Sequence, residues 1–298
     1  MTHAVEIVEV GPRDGLQNEK ATLDPVDRAA FVTRLEECGA RRIEAVSFVN
    51  PARVPQMADA EAVMAALPAR HGVSRIGLVL NRRGWSRAVA SGCDEVNLVV
   101  CASDDFGVRN QGATTQEQIA GVADIIALRA AHGGPPLSLT VAVAFGCPFE
   151  GEVPLDRVVD IVARAAALGI GEIALADTIG VADPWTVRAR VAAARAAAPE
   201  ARLRMHFHDT RNTGLANAFA AVEAGVRTLD ASCGGLGGCP FAPAATGNIA
   251  TEDLAYMLHR AGFETGYDIA ALVETARWVG DKLGKTPVSA LSRAGEFP

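Results

Sequence analysis

Residues 202–231 read RLRMHFHDTRNTGLANAFAAVEAGVRTLDA and contain one complete structural unit. The unit begins with a candidate strand at residues 202–206 and continues through an alanine-rich candidate helix at residues 213–224. A second candidate strand follows at residues 228–231. Gly225 comes directly after the helix, where a left-handed cap favours glycine. A strand, a helix and a strand in this order predict a βαβ unit with parallel strands.

The same alternation extends over the whole chain. The candidate strands lie at residues 5–10, 42–46, 76–80, 95–100, 137–144, 172–176, 202–206 and 228–231. The candidate helices lie at residues 25–38, 59–66, 82–91, 115–131, 155–168, 184–198, 213–224 and 251–261. Several helices are followed by glycine, at Gly39, Gly92, Gly169 and Gly225.

Eight strand and helix units within ~250 residues predict an α/β protein built as a (β/α)8 TIM barrel. We expect one catalytic barrel domain over residues 1–298, with a helical C-terminal appendage over about residues 265–298. Candidate helices at residues 267–278 and 279–283 would form that appendage. A doubly wound open sheet is the alternative fold, but no Gly-x-Gly-x-x-Gly follows the first strand.

The composition excludes several classes of protein. Lys and Arg number 28 against 35 Asp and Glu, a net charge of −7, and no basic cluster suited to nucleic acid stands out. The longest apolar runs, such as residues 137–145, fall far short of the ~20 residues of a membrane helix. Six cysteines form no Cys-x-x-Cys pair. We expect a cytoplasmic protein with free thiols and without a nucleic-acid or membrane partner.

Titratable residues collect after the predicted strands, at the end of a barrel where active sites lie. Arg13 and Asp14 follow the first strand, and His206 and His208 belong to the end of the seventh. A glycine-rich stretch, residues 234–247, follows the eighth strand and is predicted to be an active-site loop. Further polar residues at strand ends or beyond this loop are Glu44, Asp177, Cys239, Asn248 and Glu252.

The His206-x-His208 spacing predicts a metal site. Side chains two residues apart on a strand point to the same face, so both imidazoles can reach one ion, and Asp14 adds a carboxylate. With the amide oxygen of Asn248, the set suits Mg²⁺ or Mn²⁺, although Zn²⁺ would also accept it. The same ligand types occur in non-haem Fe(II) oxygenases and in zinc hydrolases. Without a metal, the histidines would hydrogen-bond neighbouring loops.

Two further residues are candidates for chemistry beside the metal. The permanent charge of Arg13 is suited to stabilising an oxyanion such as an enolate. An ordinary ion pair with Asp14 is the alternative. Cys239 lies in the glycine-rich loop, and a loop that closes over the site can deliver its thiol as a general acid or base. A loop cysteine without a role is the alternative there.

Seven segments together resemble the hydroxymethylglutaryl-CoA lyase family, and the likeness runs over nearly the whole chain. They are residues 8–20 (VEVGPRDGLQNEK), 47–49 (SFV), 54–57 (VPQM), 146–151 (GCPFEG), 177–180 (DTIG), 206–210 (HFHDT) and 235–240 (GLGGCP). The resemblance implies a metal-dependent carbon–carbon lyase that cleaves 3-hydroxy-3-methylglutaryl-CoA to acetyl-CoA and acetoacetate. Leucine degradation and ketone-body formation are the metabolic roles that it suggests, and a dimer is the expected assembly.

The resemblance also implies a role for each matched residue. Asp14, His206, His208 and Asn248 would hold Mg²⁺ or Mn²⁺, and Arg13 would stabilise the thioester enolate. Cys239 would help to transfer a proton, and His206 or Asp177 would accept the proton of the tertiary hydroxyl. Glu44 and Glu252 would be supporting polar groups. Three cationic residues near the expected mouth are candidates for contacts with the acyl-CoA thioester: Lys20, Arg53 and Arg109.

The chain departs from the family at the wall that would contact the acyl group. Residues 140–143 read Thr-Val-Ala-Val where Tyr-Val-Ser-Cys is usual, and Arg211-Asn212 replaces Tyr-Gly. Another 3-hydroxy-3-alkylglutaryl-CoA or hydroxyacyl-CoA is therefore the alternative substrate. A Claisen-condensing synthase of the same superfamily is a weaker alternative, because those enzymes usually carry Gly-Glu-Arg-x-Gly-Asn where this chain has Gly238-Cys239-Pro240.

Overall fold

A computed structural model describes residues 4–69, 71–238, 247–295 and 297 of the chain. Eight parallel strands form a closed barrel, in which each strand pairs with its neighbours in sequence and the first strand also pairs with the last. The strands are β1 (Glu6–Glu9), β2 (Arg42–Ser47), β3 (Ser74–Val79), β4 (Glu95–Cys101), β5 (Leu137–Ala142), β6 (Glu172–Asp177), β7 (Arg202–Phe207) and β8 (Thr228–Ala231). The predicted (β/α)8 barrel is confirmed, and the open sheet is excluded.

Helices surround the barrel. They are α1 (Pro25–Glu37), α2 (Ala60–Ala66), α3 (Arg82–Ala90), α4 (Asp104–Gln111), α5 (Thr115–His132), α6 (Leu155–Ala167), α7 (Pro184–Ala197), α8 (Gly214–Glu223), α9 (Thr251–Arg260), α10 (Ile269–Leu283) and α11 (Ala290–Ala294). Every helix in the described part of the chain is too short or too polar to cross a membrane.

Some details of the sequence prediction were wrong. The predicted strand at residues 137–144 ends at Ala142, because Val143 has a positive φ of 50° and its N–H donates to the Thr178 hydroxyl at 2.8 Å. Helix α4 was missed because it is short and polar, although Ser103 caps its N-terminus by accepting from the Phe106 N–H. The two helices predicted at residues 267–278 and 279–283 are one continuous helix, α10.

Glycine is required where the C-terminal segment meets α1. The predicted left-handed residue after α1, Gly39, has a φ of +107°, and a Cβ there would lie 2.0 Å from the Gly266 carbonyl oxygen. The Asp268 N–H donates to the Cys38 carbonyl at 2.8 Å in the same place. Helix α10 therefore packs closely against α1, and Leu272, with 0% exposure, is buried.

The two faces of β1 carry different chemistry. Val8 and Val10 point into the barrel, where they form a small apolar cluster with Ile76 of β3. Glu9 points the other way, into the layer between the strands and the helices, and is 0% exposed. Burial raises the pKa of Glu9 from 4.5 to about 7, although three hydrogen bonds partly oppose this shift. An ionisable group thus lies within a largely apolar layer, with Thr251 and Glu252 among its polar neighbours.

Glu9→Gln is expected to gain stability relative to the wild type as the pH rises. The folded protein holds the Glu9 proton more tightly than the unfolded chain does, so ionisation between pH 5 and pH 8 destabilises the wild type by about 2 kcal/mol. Glutamine does not ionise. Urea unfolding of both proteins at pH 5 and pH 8 measures the change, with the exposed Glu200→Gln as control. An identical stability difference at the two pH values would contradict the assignment.

Candidate active site

Closure of the barrel brings Asp14 beside two histidines that are distant from it in the chain. Asp14 lies in a helical turn, Gly11–Gly15, at the exit of β1, while His206 ends β7 and His208 follows it. The Asp14 Oδ2 atom lies 3.9 Å from His206 Nε2 and 3.8 Å from His208 Nε2. The ligand atoms of the three side chains all lie within 4.8 Å of one another. The predicted cluster therefore forms a possible metal site.

The two distances from Asp14 to the imidazole nitrogens fit a small divalent cation. Ligand atoms that each lie about 2.1 Å from one ion stand about 3.0–4.2 Å apart, depending on the angle between them. Neighbouring Asn248 also has a buried amide oxygen, Oδ1, without a hydrogen-bond partner. The Asn248 amide nitrogen, however, faces the cluster and donates to Asp14 Oδ2 at 2.9 Å and to the Leu236 carbonyl at 3.1 Å. Ligation through Oδ1 requires this amide to turn over.

Asp14 is held in its ionised form. Burial opposes the charge, but Arg13, His206 and His208 outweigh that effect and hold the pKa of Asp14 well below its usual value of 3.8. Arg13 Nη1 donates to Asp14 Oδ1 at 2.6 Å, which leaves Oδ2 directed at the two imidazoles. A negative ligand is therefore present at neutral pH.

A buried acid orients the first imidazole. His206 Nδ1 lies 3.1 Å from Asp230 Oδ2, on β8, and Asp230 Oδ1 lies 3.2 Å from the Nε atom of Arg204. Burial lowers the pKa of His206, but Asp230 and Asp14 outweigh that effect and raise the pKa above 6.5. In the neutral imidazole the single proton belongs on Nδ1, because a carboxylate only accepts, and the Nε2 lone pair can bind an ion. Such carboxylate partners typically fix the orientation of metal-binding histidines.

A polar chain of side chains extends from Arg13 across the barrel interior to His206. Its members are Arg13, Glu44, Asn97, Thr140, Arg204, Asp230 and His206. Arg13 Nε donates to Glu44 Oε2 at 2.8 Å, and Asn97 Nδ2 donates to Glu44 Oε1 at 3.1 Å. Glu44, which was predicted as a site residue, is almost fully buried and fixes the Arg13 guanidinium.

The site opens into a cavity of about 750 Å³. Arg13, Asp14, His206 and His208 line its inner part, together with Asn97 and Thr140. Three arginines line the outer part: Arg53, Arg82 and Arg83. Of the three predicted cationic contacts, only Arg53 lines this cavity. Lys20 is exposed, and Arg109 stacks over the Phe149 ring at 4.3 Å.

Arg82 and Arg83 were not predicted from the sequence as site residues. They are the first residues of α3 and lie just beyond the end of β3, at the same end of the barrel as the metal cluster. Asn81 caps this helix by accepting from the Gly84 N–H at 3.0 Å. The sequence signal that could have identified them is a helix-capping residue followed by two arginines, directly after a strand.

The remaining predicted residues lie around the cavity rather than in its lining. Both Asp177 oxygens accept backbone N–H groups, from Val181 at 2.8 Å and from Ala182 at 3.0 Å. Burial raises the pKa of Asp177 above 3.8. Glu252 accepts from the Gly234 N–H at 3.0 Å and supports the start of the glycine-rich loop. Cys239 lies outside the described residues, although Gly238, directly before it, lines the cavity.

Fold and site together define a class of protein. A (β/α)8 barrel with two histidines, an ionised aspartate and a fixed arginine at the carboxyl ends of its strands is equipped to stabilise negative charge on a bound substrate. The sequence model of the HMGL-like family matches residues 4–279, and the chain belongs to this family. It is an enzyme of the carbon–carbon lyase type.

Individual relatives cover almost the full chain. The chain is 42% identical to the (R)-citramalyl-CoA lyase of Chloroflexus aurantiacus, over 98% of its own length and 95% of the relative. It is 41% identical to the hydroxymethylglutaryl-CoA lyase of Pseudomonas mevalonii, over 98% and 96%. A solved HMG-CoA lyase from Acinetobacter baumannii, in complex with coenzyme A and 3-methylmalate, matches with a TM-score of 0.94 at 39% identity, over 99% and 96%.

Replacing Asp14 with Asn is expected to weaken Mn²⁺ binding by at least about 100-fold, because even groups behind the ligands typically contribute 10- to 100-fold. The amide has a similar shape but lacks the charge. Electron paramagnetic resonance of free Mn²⁺ measures the affinity, and Asp105→Asn, the same change on an exposed residue, is the control. Equal affinity of the two variants would exclude Asp14 as a ligand.

Proposed function

We propose that this lyase cleaves 3-hydroxy-3-methylglutaryl-CoA to acetyl-CoA and acetoacetate by retro-Claisen chemistry, with Mg²⁺ or Mn²⁺ as cofactor. The observation that carries the proposal is the position of Arg13, which contacts Asp14 and lines the same cavity as both histidines. A thioester enolate formed in that cavity would meet a fixed positive charge. The names of the relatives at about 40% identity point to the same chemistry.

The metal would be held by Asp14, His206 and His208, with Asn248 as a further candidate ligand. When bound, a divalent cation polarises the tertiary hydroxyl of the substrate and lowers its pKa. His206 is poorly suited to accept the hydroxyl proton, because Nδ1 contacts Asp230 and Nε2 is directed at the cluster. Asp177 is the other candidate base, and to accept the hydroxyl proton its carboxylate has to turn away from the Val181 and Ala182 N–H groups towards the cavity.

The products form as the carbon–carbon bond breaks. The bonding electron pair moves to the thioester carbonyl, and Arg13 stabilises the enolate oxygen that results. Glu44 holds the Arg13 guanidinium in place before the reaction, so the enzyme need not reorganise as charge develops. We propose that the Cys239 thiol then protonates the enolate carbon, which yields acetyl-CoA.

Arginines at the outer part of the cavity are proposed to bind coenzyme A. Arg53, Arg82 and Arg83 are cationic and line the cavity on the side of α3. The phosphate groups of coenzyme A need such partners. Lys20 and Arg109, which were predicted from the sequence for the same task, do not line the cavity.

(R)-citramalyl-CoA is a second candidate substrate, favoured by the relative that shares 42% identity with this chain. Its acyl group is shorter by one methylene, and the same bond cleavage would release pyruvate in place of acetoacetate. Thr140, which departs from the usual family residue, lines the cavity where the acyl group would lie. Four further proposals rest on the sequence or on the resemblance alone: a single barrel domain over residues 1–298, a homodimer, a cytoplasmic location and a role in leucine degradation or ketone-body formation.

The decisive experiment compares both thioesters with the purified protein. We expect acetyl-CoA release from one or both of them, loss of cleavage after EDTA treatment, and recovery on addition of Mg²⁺ or Mn²⁺. Acetoacetate or pyruvate in the product identifies the preferred acyl group. The matched variant Arg13→Gln is expected to bind Mn²⁺ but to cleave at least about 100-fold more slowly, in the range typical of a lost oxyanion partner. Cleavage that survives complete metal removal would overturn the proposal.

A further inference from the structure

Glu9 is a buried acid that the proposed reaction does not use. It lies on the outer face of β1, is 0% exposed, and shares the layer between barrel and helices with apolar residues such as Ile7, Phe31 and Leu272. A carboxyl group in such a layer loses its hydration, and an apolar side chain of similar size would suit the packing better. The reason for an acid at this position must therefore lie in its contacts.

Its two oxygens bind three separate segments of the chain. Glu9 Oε1 accepts from the Gly11 N–H at 2.8 Å and from the Cys233 N–H at 3.0 Å. Glu9 Oε2 accepts from the Thr251 hydroxyl at 2.6 Å. The first segment is the turn after β1, the second is the start of the glycine-rich loop, and the third is the beginning of α9.

Each of these segments carries part of the active site. The Gly11–Gly15 turn presents Arg13 and Asp14 to the cavity. The segment that starts at Cys233 leads to Gly238, which lines the cavity. Thr251 follows Asn248, whose side chain contacts Asp14.

The turn and the loop also pack tightly against each other. A Cβ on Gly15 would lie 3.0 Å from the Leu236 Cβ, so the two segments touch without space for a side chain. The Leu236 carbonyl in turn accepts from the Asn248 amide at 3.1 Å. If either segment moved by a fraction of an ångström, the side chains of Asp14 and Asn248 would therefore move with it.

We propose that Glu9 is a positioning residue of the proposed lyase site, which fixes the turn bearing Arg13 and Asp14 to the start of the glycine-rich loop and to α9. This inference rests on the proposed function of the site. Glu9 touches neither the cavity nor the metal cluster, and it acts through the backbone of Gly11 and Cys233. Glu252 binds the next residue of the loop, Gly234, from the side of α9.

Two substitutions at residue 9 separate the hydrogen bonds from the packing. Glu9→Leu keeps a similar volume but leaves the Gly11 and Cys233 N–H groups without an acceptor. Glu9→Gln keeps an acceptor oxygen for both groups, and its amide can donate to the Thr251 hydroxyl. We expect Glu9→Leu to raise the Mn²⁺ dissociation constant by at least about tenfold, as for losses behind metal ligands, and Glu9→Gln to restore it to within about threefold.

Kinetics give a second, independent readout. Glu9→Leu is expected to lower kcat at least about tenfold because Arg13 and Asp14 are no longer held in place, while KM stays within about threefold, since the outer cavity is unchanged. Thr251→Val removes one donor only and is the milder variant to use if Glu9→Leu does not fold. It is expected to weaken Mn²⁺ binding by about threefold, with circular dichroism showing an intact fold.

Ile161→Ala is the matched control for general loss of stability. Ile161 is a buried core residue of α6, which packs against α7 and β5 away from the three segments. Its melting temperature should fall, but its Mn²⁺ affinity should remain that of the wild type. Equal weakening of Mn²⁺ binding in Ile161→Ala and Glu9→Leu, or wild-type affinity in both Glu9→Leu and Thr251→Val, would overturn the positioning role.

The two proposals fail in distinguishable ways. If the wild type binds Mn²⁺ but cleaves neither thioester, the proposed function is wrong, and the affinities alone still decide the role of Glu9. If the wild type cleaves a thioester and Glu9→Leu matches it in both kcat and Mn²⁺ affinity, only the positioning role is wrong. A wild type without affinity for Mn²⁺ would overturn both.

Discussion

Closure of the barrel is the constraint on which the site depends. The pairing of β1 with β8, and of β8 with β7, brings the exit of the first strand beside the end of the seventh. Asp14 can therefore approach His206 and His208 although about two thirds of the chain separates them. In an open sheet the first and seventh strands would not share an interior, and the same side chains could not converge.

Convergence of charged groups in a barrel interior has an electrostatic cost, which the structure offsets by pairing. Asp14 is flanked by Arg13 and two imidazoles, Arg13 is also bound to Glu44, and the acid behind His206 is bound to Arg204. Each of these charges thus has an opposite partner, as low-dielectric surroundings require. The same pairing restricts the conformational freedom of these side chains, so the site is organised before a substrate enters.

The sequence predicted the positions of the functional residues better than their orientations. Strand periodicity and the rule that barrel sites lie at strand ends were sufficient to bring Asp14, His206 and His208 together. They could not show that the Asp177 carboxylate turns back to the Val181 and Ala182 N–H groups, because that depends on the shape of the following turn. Arg82 and Arg83, at the start of α3, were missed since the route of the cavity between loops and helices is set by tertiary packing.

Thr140 connects the proposed acyl-group wall to the candidate metal site. It lines the cavity where the chain departs from the usual family sequence, and its hydroxyl also bonds Asn97 at 3.0 Å and Arg204 at 3.3 Å. Arg204 in turn holds the acid that orients His206. A substitution at residue 140 would therefore change both the lining of the cavity and a member of the polar chain behind the candidate ligands. Arg204 also pairs with Glu172 at 3.3 Å and with Asp230 at 3.2 Å, so a substitution at residue 140 alters the polar chain without removing every partner of this arginine.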